Sequence, residues 1–286
     1  MPDCTIEAAI KRAAQTLREL DSPRLEAESL LGYVLDKNRA YFRTWPERAL
    51  TDAQWKRFGE LVEKRAQGVP LAYLTGQREF WSLDLHVTPA TLIPRPETEL
   101  LVEKALARIP PERHWHIADL GTGSGAIALA LASERSRCHL HATDLSSAAL
   151  AVAQDNAQRL RLSNVQFYQG SWCKALPPQR FHLIVSNPPY VSEHDPHLLD
   201  DGLPFEPRSA LTPGGDGLAA IRAISRQARS FLQPPGWLLL EHGYDQGEAV
   251  RSILSRDGYQ NIRTCEDLAG NSRLTLAQHQ HGSGTE

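Results

Sequence analysis

Apolar residues Ile6, Ile10, Ala13, Leu17 and Leu20 advance by alternating steps of four and three, the rhythm of one helical face. Ser22-Pro23 reads as a cap followed by proline at the first helical position, where its locked φ and missing N–H are harmless. Leu25, Leu30, Leu31 and Val34 form the next apolar face. Thr51 with Gln54 fits a capping box ahead of Trp55, Phe58, Leu61 and Val62. This rhythm, without a strand pattern, predicts a small helical domain over residues 1–75, closed by Gly68-Val69-Pro70.

The period then changes. From Glu79 to Val87 the apolar residues Phe80, Leu83, Leu85 and Val87 approach alternation, and prolines punctuate Leu92-Ile93-Pro94-Arg95-Pro96-Glu97. A hairpin linker is expected over 76–98. From His116 onward, strand-like and helix-like runs alternate, which predicts an α/β fold with a doubly wound, mostly parallel sheet over 99–280. The expected strands are His116–Leu120, His139–Thr143, Val165–Gln169, Phe181–Ser186 and Trp237–Glu241. Helical runs are expected from Ser124, Ser147, Gly217 and Asp245, and Gly258–Thr264 with Arg273–Ala277 reads as a terminal antiparallel pair. The polar end, 281–286, is expected to be a disordered tail.

Composition narrows the class of protein. The 286 residues carry 31 Lys plus Arg against 34 Asp plus Glu, a net charge of −3. That balance gives no general attraction to nucleic acid, so no direct nucleic-acid binding is expected. Four cysteines (Cys4, Cys138, Cys173, Cys265) form no CxxC pair, and the histidines form no HxxxH motif with a carboxylate base. Reduced thiols and no metal site are expected. The start, Met-Pro-Asp-Cys-Thr, lacks a basic-then-apolar signal, and no apolar run reaches membrane-spanning length. These features predict a cytoplasmic protein without membrane contact.

Two motifs carry chemistry. Asp119-Leu120-Gly121-Thr122-Gly123-Ser124-Gly125 joins the first strand of the alternating region to an Ala/Leu-rich helix. The glycines permit unusual φ and close ligand approach, but Ala126 stands where a dinucleotide fingerprint needs its last glycine. A tight turn behind an acidic residue suits S-adenosylmethionine, which has an amino-acid end and no phosphates. Asp144, ending the second strand, can accept from both ribose hydroxyls, or serve as a helix cap. Trp172, after the third, can wall off adenine or pack in the core.

The second motif is Asn187-Pro188-Pro189-Tyr190, directly after an apolar strand. Neither proline has an N–H to continue a ladder, so the chain leaves the sheet as a stiff ridge with its carbonyls presented. The Asn187 side-chain oxygen and the Pro188 carbonyl can hold both N–H groups of a planar NH2, aiming its lone pair at a methyl donor. Tyr190 can stack on the flat group. This chemistry serves an adenine amine or a glutamine amide equally, so an adenine-N6 methyltransferase of DNA or RNA stays open beside a protein-glutamine one. A non-catalytic adaptor is disfavoured because turn and ridge are both intact. Glu206 and Arg208, in Phe205-Glu206-Pro207-Arg208, stand where they could help hold a substrate segment, although surface ion pairing is the more frequent role for such residues.

Nearly the whole chain resembles the protein-(glutamine-N5) methyltransferases of peptide chain release factors. The resemblance runs through Pro70-Leu71-Ala72-Tyr73-Leu74-Thr75-Gly76, Leu92 to Glu99, the glycine turn, the Asn-Pro-Pro-Tyr ridge, Phe205 to Arg208 and Leu239-Leu240-Glu241-His242-Gly243. It implies a helical substrate-docking domain joined by a hairpin to a class I methyltransferase domain that uses S-adenosyl-L-methionine. The implied substrate is the glutamine of the Gly-Gly-Gln motif in class 1 release factors. Carried over by position, Asp119, Gly121, Thr122, Gly123, Ser124, Gly125, Asp144, Trp172 and Asn187 would meet the cofactor. Asn187, Pro188, Pro189 and Tyr190 would form the glutamine pocket, with Asn187, Pro188 and Tyr190 catalytic.

Overall fold

The structure, a computed structural model, describes residues 4–200 and 202–280, so the expected tail at 281–286 lies outside the described residues. The chain divides into two compact units, Met1–Gln77 with Asp201–Phe205, and Arg78–Asp200 with Glu206–Glu286.

Five helices build the first unit: α1 (Ile6–Thr16), α2 (Pro23–Leu35), α3 (Arg39–Thr44), α4 (Asp52–Ala66) and α5 (Leu71–Thr75). Thr5 caps α1 by accepting from Ala8 N, and Thr51 with Gln54 forms the expected capping box on α4. Pro23 does open α2, but the Ser22 side chain makes no capping hydrogen bond. The period-3.6 faces converge as anticipated, with Ile6, Ile10, Leu17, Leu30, Leu31, Phe42, Phe58 and Val62 in one core. Leu25 departs from that reading and stays 44% exposed. It lies in the first turn, off the arc defined by Leu30 and Leu31.

In the second unit, β1 (Gln77–Phe80) and β2 (Leu83–His86) form a two-stranded sheet. Trp81 and Ser82 between them both have positive φ, the backbone of a two-residue type I′ turn. The expected linker is core material: Phe80 and Leu85 are fully buried against α6 (Glu99–Leu106) and its neighbours. There follow β3 (His116–Leu120), α7 (Ala126–Glu134), β4 (His139–Asp144), α8 (Ser147–Arg159), β5 (Val165–Gln169), β6 (Phe181–Ser186), α9 (Arg208–Leu211), α10 (Ala219–Phe231), β7 (Leu232–Glu241), α11 (Gly247–Arg256), β8 (Gln260–Glu266) and β9 (Ser272–His279).

The seven-stranded sheet has the order β5-β4-β3-β6-β7-β9-β8, parallel through β7 and antiparallel at β9 and β8. Alternate side chains part to its two faces. Ile117, Leu183, Val185 and Leu239 pack with α6 and α7, whereas Ala118, Leu120, Ile184, Leu238 and Leu240 pack with α10 and α11. Three helices begin two residues later than expected, because Gly125 and Gly217 have positive φ and the Gly243–Gln246 segment closes as a turn. β7 begins at Leu232 rather than Trp237: the register against β6 jumps from Leu232 to Trp237, so Pro234 and Pro235 are taken up without ladder partners. The strand order reverses between β3 and β6, where a parallel sheet opens a crevice at its carboxyl ends.

Candidate active site

The crevice holds a cavity of about 370 Å³. That is within the range of about 300–1,000 Å³ usual for small-molecule sites. The turns after β3, β4 and β5 and the ridge after β6 border it through Gly121, Gly123, Asp144, Trp172, Asn187 and Pro189. Thr91, Leu92, Leu145, Pro207 and Ser209 are also at its wall.

The glycine turn is held from two sides. Gly121 N and Thr122 N donate to the Thr143 carbonyl at 2.8 and 2.9 Å, locking the turn to β4. Beneath it, Asp119 accepts from Thr122 Oγ1 at 2.7 Å and from Ala128 N at 3.2 Å. Asp119 is fully buried, and burial pushes its carboxyl up to about 7, the Thr122 hydroxyl and Ala128 amide opposing. Thus Asp119, Thr122, Ser124 and Gly125, all expected at the cofactor, build the turn without lining the cavity. Gly121 has φ +74, and a Cβ there would sit 3.1 Å from Trp172 Cζ3. Trp172 itself has φ 50, a left-handed conformation unusual for a bulky residue. Its indole both borders the cavity and packs on the sheet core.

Asp144 is not the cap of α8; Ser146 is, accepting from Ala149 N. Asp144 Oδ2 instead accepts from Gly123 N and Oδ1 from Ser146 N, each at 2.9 Å. A carboxylate has about four acceptor positions, so two remain for a ligand's hydroxyls.

On the ridge, Asn187 Nδ2 donates to Thr98 Oγ1 at 3.1 Å. Among the described residues, Asn187 Oδ1 accepts no hydrogen bond. Pro188 is buried, and Pro189 faces the cavity. The Tyr190 ring is half-buried, and burial together with Glu241 raises its phenol above the ordinary tyrosine range. Gln246 Nε2 donates to the Tyr190 carbonyl at 2.9 Å, and a Cβ at Gly217 would lie 2.3 Å from the same oxygen. The end of the ridge is therefore packed against backbone that tolerates no side chain.

Some residues that shape the site were not anticipated. Glu206 is buried, not a surface ion pair: it accepts from Ile93 N at 2.9 Å and pairs with Arg95, joining the proline-arginine stretch to the loop after the ridge. Arg208 is exposed at the start of α9. Asn156, fully buried on α8, donates to the carbonyls of His86 and Ser124, each at 2.9 Å, and accepts from His86 N at 2.7 Å. It ties the hairpin to the glycine turn. A polar residue inside the apolar face of α8 was the available signal. Among the described residues no group of His, Cys, Asp and Glu could hold a metal, and no helix is long and apolar enough to cross a membrane.

Residues 8–76 match the PrmC N-terminal domain, and residues 96–222 match the Methyltransferase small domain. The release factor glutamine methyltransferase of Salmonella typhimurium is 52% identical over 94% of this chain and 97% of its own length. That of Coxiella burnetii is 50% identical over 96% and 99%. A 16S rRNA N2 G1207 methyltransferase from T. thermophilus, 20% identical, superposes with a TM-score of 0.54 over 71% of this chain and 50% of that one, a likeness of fold. The chain belongs to the release factor glutamine methyltransferase family.

Proposed function

We propose that this protein transfers the methyl group of S-adenosyl-L-methionine to the side-chain amide nitrogen, N5, of the glutamine in the Gly-Gly-Gln motif of class 1 peptide chain release factors, modulating translation termination. One observation carries the reading. The glycine turn and the Asn187 ridge border the same cavity, in a chain half-identical to release factor glutamine methyltransferases along nearly its whole length.

The residues present fit the cofactor. Gly121 and Gly123 would accommodate its amino-acid end, in a cradle that a Cβ at Gly121 would fill. Asp144 has acceptor positions left for the ribose hydroxyls, and Trp172 with the exposed Leu145 would enclose the adenine. When bound, it supplies a sulfonium methyl whose C–S bond breaks as the new C–N bond forms.

A glutamine amide is a poor nucleophile because its lone pair is delocalised into the carbonyl. Asn187 Oδ1 and the Pro188 carbonyl would accept its two N–H groups and hold the nitrogen's lone pair in line. The gain is positioning and electrostatic preorganisation. Tyr190 stays a neutral phenol at physiological pH, so it offers a surface for the flat amide rather than a base. None is required before attack, because the nitrogen becomes acidic once methylated and can release its proton to water. The helical unit would serve release-factor docking.

Incubation with labelled S-adenosylmethionine and a release factor, read by mass spectrometry, tests the reading. A single methyl is expected on the Gly-Gly-Gln glutamine. Transfer that persists after its replacement by alanine, or that lands on adenine in DNA or RNA, overturns it.

A further inference from the structure

Two prolines in succession leave the ridge few handles. Neither Pro188 nor Pro189 has an N–H, and the Pro188 carbonyl is offered to the substrate, so the ridge has to be fixed from its flanks. In front, Asn187 Nδ2 donates to Thr98 Oγ1. Behind, Val191 N donates to the Leu211 carbonyl at 3.0 Å, and Gln246 Nε2 donates to the Tyr190 carbonyl at 2.9 Å. Gln246 lies 56 positions further along the chain, in the turn between β7 and α11.

The Gln246 amide is engaged at both of its ends. Its Oε1 accepts from Gly243 N at 2.9 Å, while Gln246 N donates to the Gly243 carbonyl at 3.0 Å, so the turn is closed twice. The side chain makes no capping bond to α11. The two partners dictate which end of the amide faces which. A backbone N–H only donates and a carbonyl only accepts, so the oxygen faces Gly243 and the NH2 faces Tyr190. Ionised glutamate would keep the acceptor but has no proton for the carbonyl. Methionine would keep the length with no donor and only a weak acceptor. Gly217 keeps the space for this bridge, since a Cβ there would sit 2.9 Å from Gln246 Nε2 as well as 2.3 Å from the Tyr190 oxygen.

We propose that Gln246 is a positioning residue for methyl transfer, its amide clamping the back of the ridge to the turn after β7 through the Tyr190 carbonyl. This rests on the proposed function, in which Asn187 and Pro188 hold the glutamine amide and Tyr190 offers it a surface. The clamp sets the path of the chain from Pro188 to Val191, and with it the directions of the Pro188 carbonyl and the Tyr190 ring. A displacement of about 1 Å at a positioning group costs on the order of 100-fold in rate. Gln246 is not at the wall of the cavity, so cofactor binding is spared.

Gln246→Glu and Gln246→Met, compared at about pH 8, separate the two ends of the amide. Each is expected to lower kcat about 10–100-fold, with KM for a release factor and cofactor Kd by calorimetry each moved less than about threefold. The rate is counted per folded molecule, with the folded fraction read from urea unfolding, so that lost stability does not pass for lost positioning. A Gln246→Glu variant within about threefold of the parent overturns the proposal even where Gln246→Met is slow, because the side chain would then only close its own turn. Losses that fall on KM or on cofactor Kd instead of kcat overturn it too. A second measurement needs no turnover. Carbonyl carbon-13 tyrosine combined with nitrogen-15 valine marks the Tyr33-Val34 and Tyr190-Val191 pairs, and the second signal is assigned by its absence in Tyr190→Phe. The Tyr190 carbonyl resonance is expected to move upfield in both Gln246 variants while that of Tyr33 stays put. An unmoved Tyr190 resonance overturns the inference. Failure of the unsubstituted protein to methylate a release factor sinks the functional reading instead, and the carbonyl resonance still decides the clamp.

Discussion

The two ends of the central sheet are built from the same strands and do opposite things with buried polar groups. At the carboxyl ends, among the described residues, Asp119, Thr143 and Glu241 each leave a buried oxygen without a partner, and Asn187 Oδ1 accepts nothing. At the amino ends, His116 and His141 meet each other and Gln179, His182 Nδ1 accepts from His116 N, and the exposed His139 stacks on His116. His116 Nδ1 lies 3.3 Å from His141 Nε2, and Gln179 Nε2 lies 2.9 Å from the same atom. His141 Nδ1 is 3.2 Å from the Tyr168 hydroxyl, and Trp115 stacks on His182 at 4.9 Å. Burial raises Asp119 and Glu241 and lowers His116, His141 and His182. The same physical force acts at both ends, since low dielectric disfavours the charged form of either type. What separates a site from a scaffold here is unspent hydrogen-bonding capacity beside a cavity, not the presence of titratable residues.

The sharpest way to break this contrast is to remove acceptor capacity at the carboxyl end. Asn187→Ala is expected to lower kcat about 100–1,000-fold, the scale for losing one preorganised polar group. Its cofactor affinity should weaken only severalfold by calorimetry; equal losses in both would mean that Asn187 mainly builds the cofactor pocket. Next in size is Gly217→Ala. Its Cβ would meet the Tyr190 backbone carbonyl at 2.3 Å, at a φ of +76. A loss of about 2–4 kcal/mol in urea unfolding is expected, with the ridge displaced in the folded fraction. A stability equal to the parent would show that the ridge is free to shift. Smaller again is Gly121→Ala, where a flexible indole edge is the obstacle at 3.1 Å. Cofactor binding should weaken about 30-fold, near 2 kcal/mol.

The elements around these positions were legible because their signals are local. Phe181 to Val185 is apolar except for His182, close to the near-continuous run of a strand buried on both faces, and two prolines follow it at 188 and 189. The glycine turn and the Thr51 capping box are likewise spelled out over a few residues. What was hidden acts across the chain. Glu206 meets Ile93 across 113 positions, and Asn156 meets His86 across 70, separations that no periodicity records. Glu241 reads as the last residue of a strand until the register sets it beside Asn187. The start of β7 was hidden for a different reason: Pro234-Pro235 reads as a breaker, and the jump in register that absorbs it is a property of two strands together.

The smallest expected effect distinguishes the two ends by the sign of their pH dependence. His141 is held neutral when folded, its pKa lowered from 6.5 to about 4 by burial and by His116 and His139. Below pH 6.5 the unfolded chain therefore binds more protons at this site, and its contribution to stability is lost as pH falls toward 4. Asp119 does the reverse. Its folded pKa, about 7, lies above the unfolded 3.8, so the folded state binds more protons in between and stability is gained as pH falls through 7. The two slopes oppose each other over a shared window, and the unsubstituted protein shows only their difference. Single substitutions separate them. His141→Gln should remove about 1–2 kcal/mol of the loss incurred between roughly pH 6.5 and 5, tilting the urea-unfolding profile toward greater relative stability in acid. Asp119→Asn should tilt it the other way. Profiles that tilt in the same direction would mean that burial does not hold both ends neutral, and the contrast between them would fail.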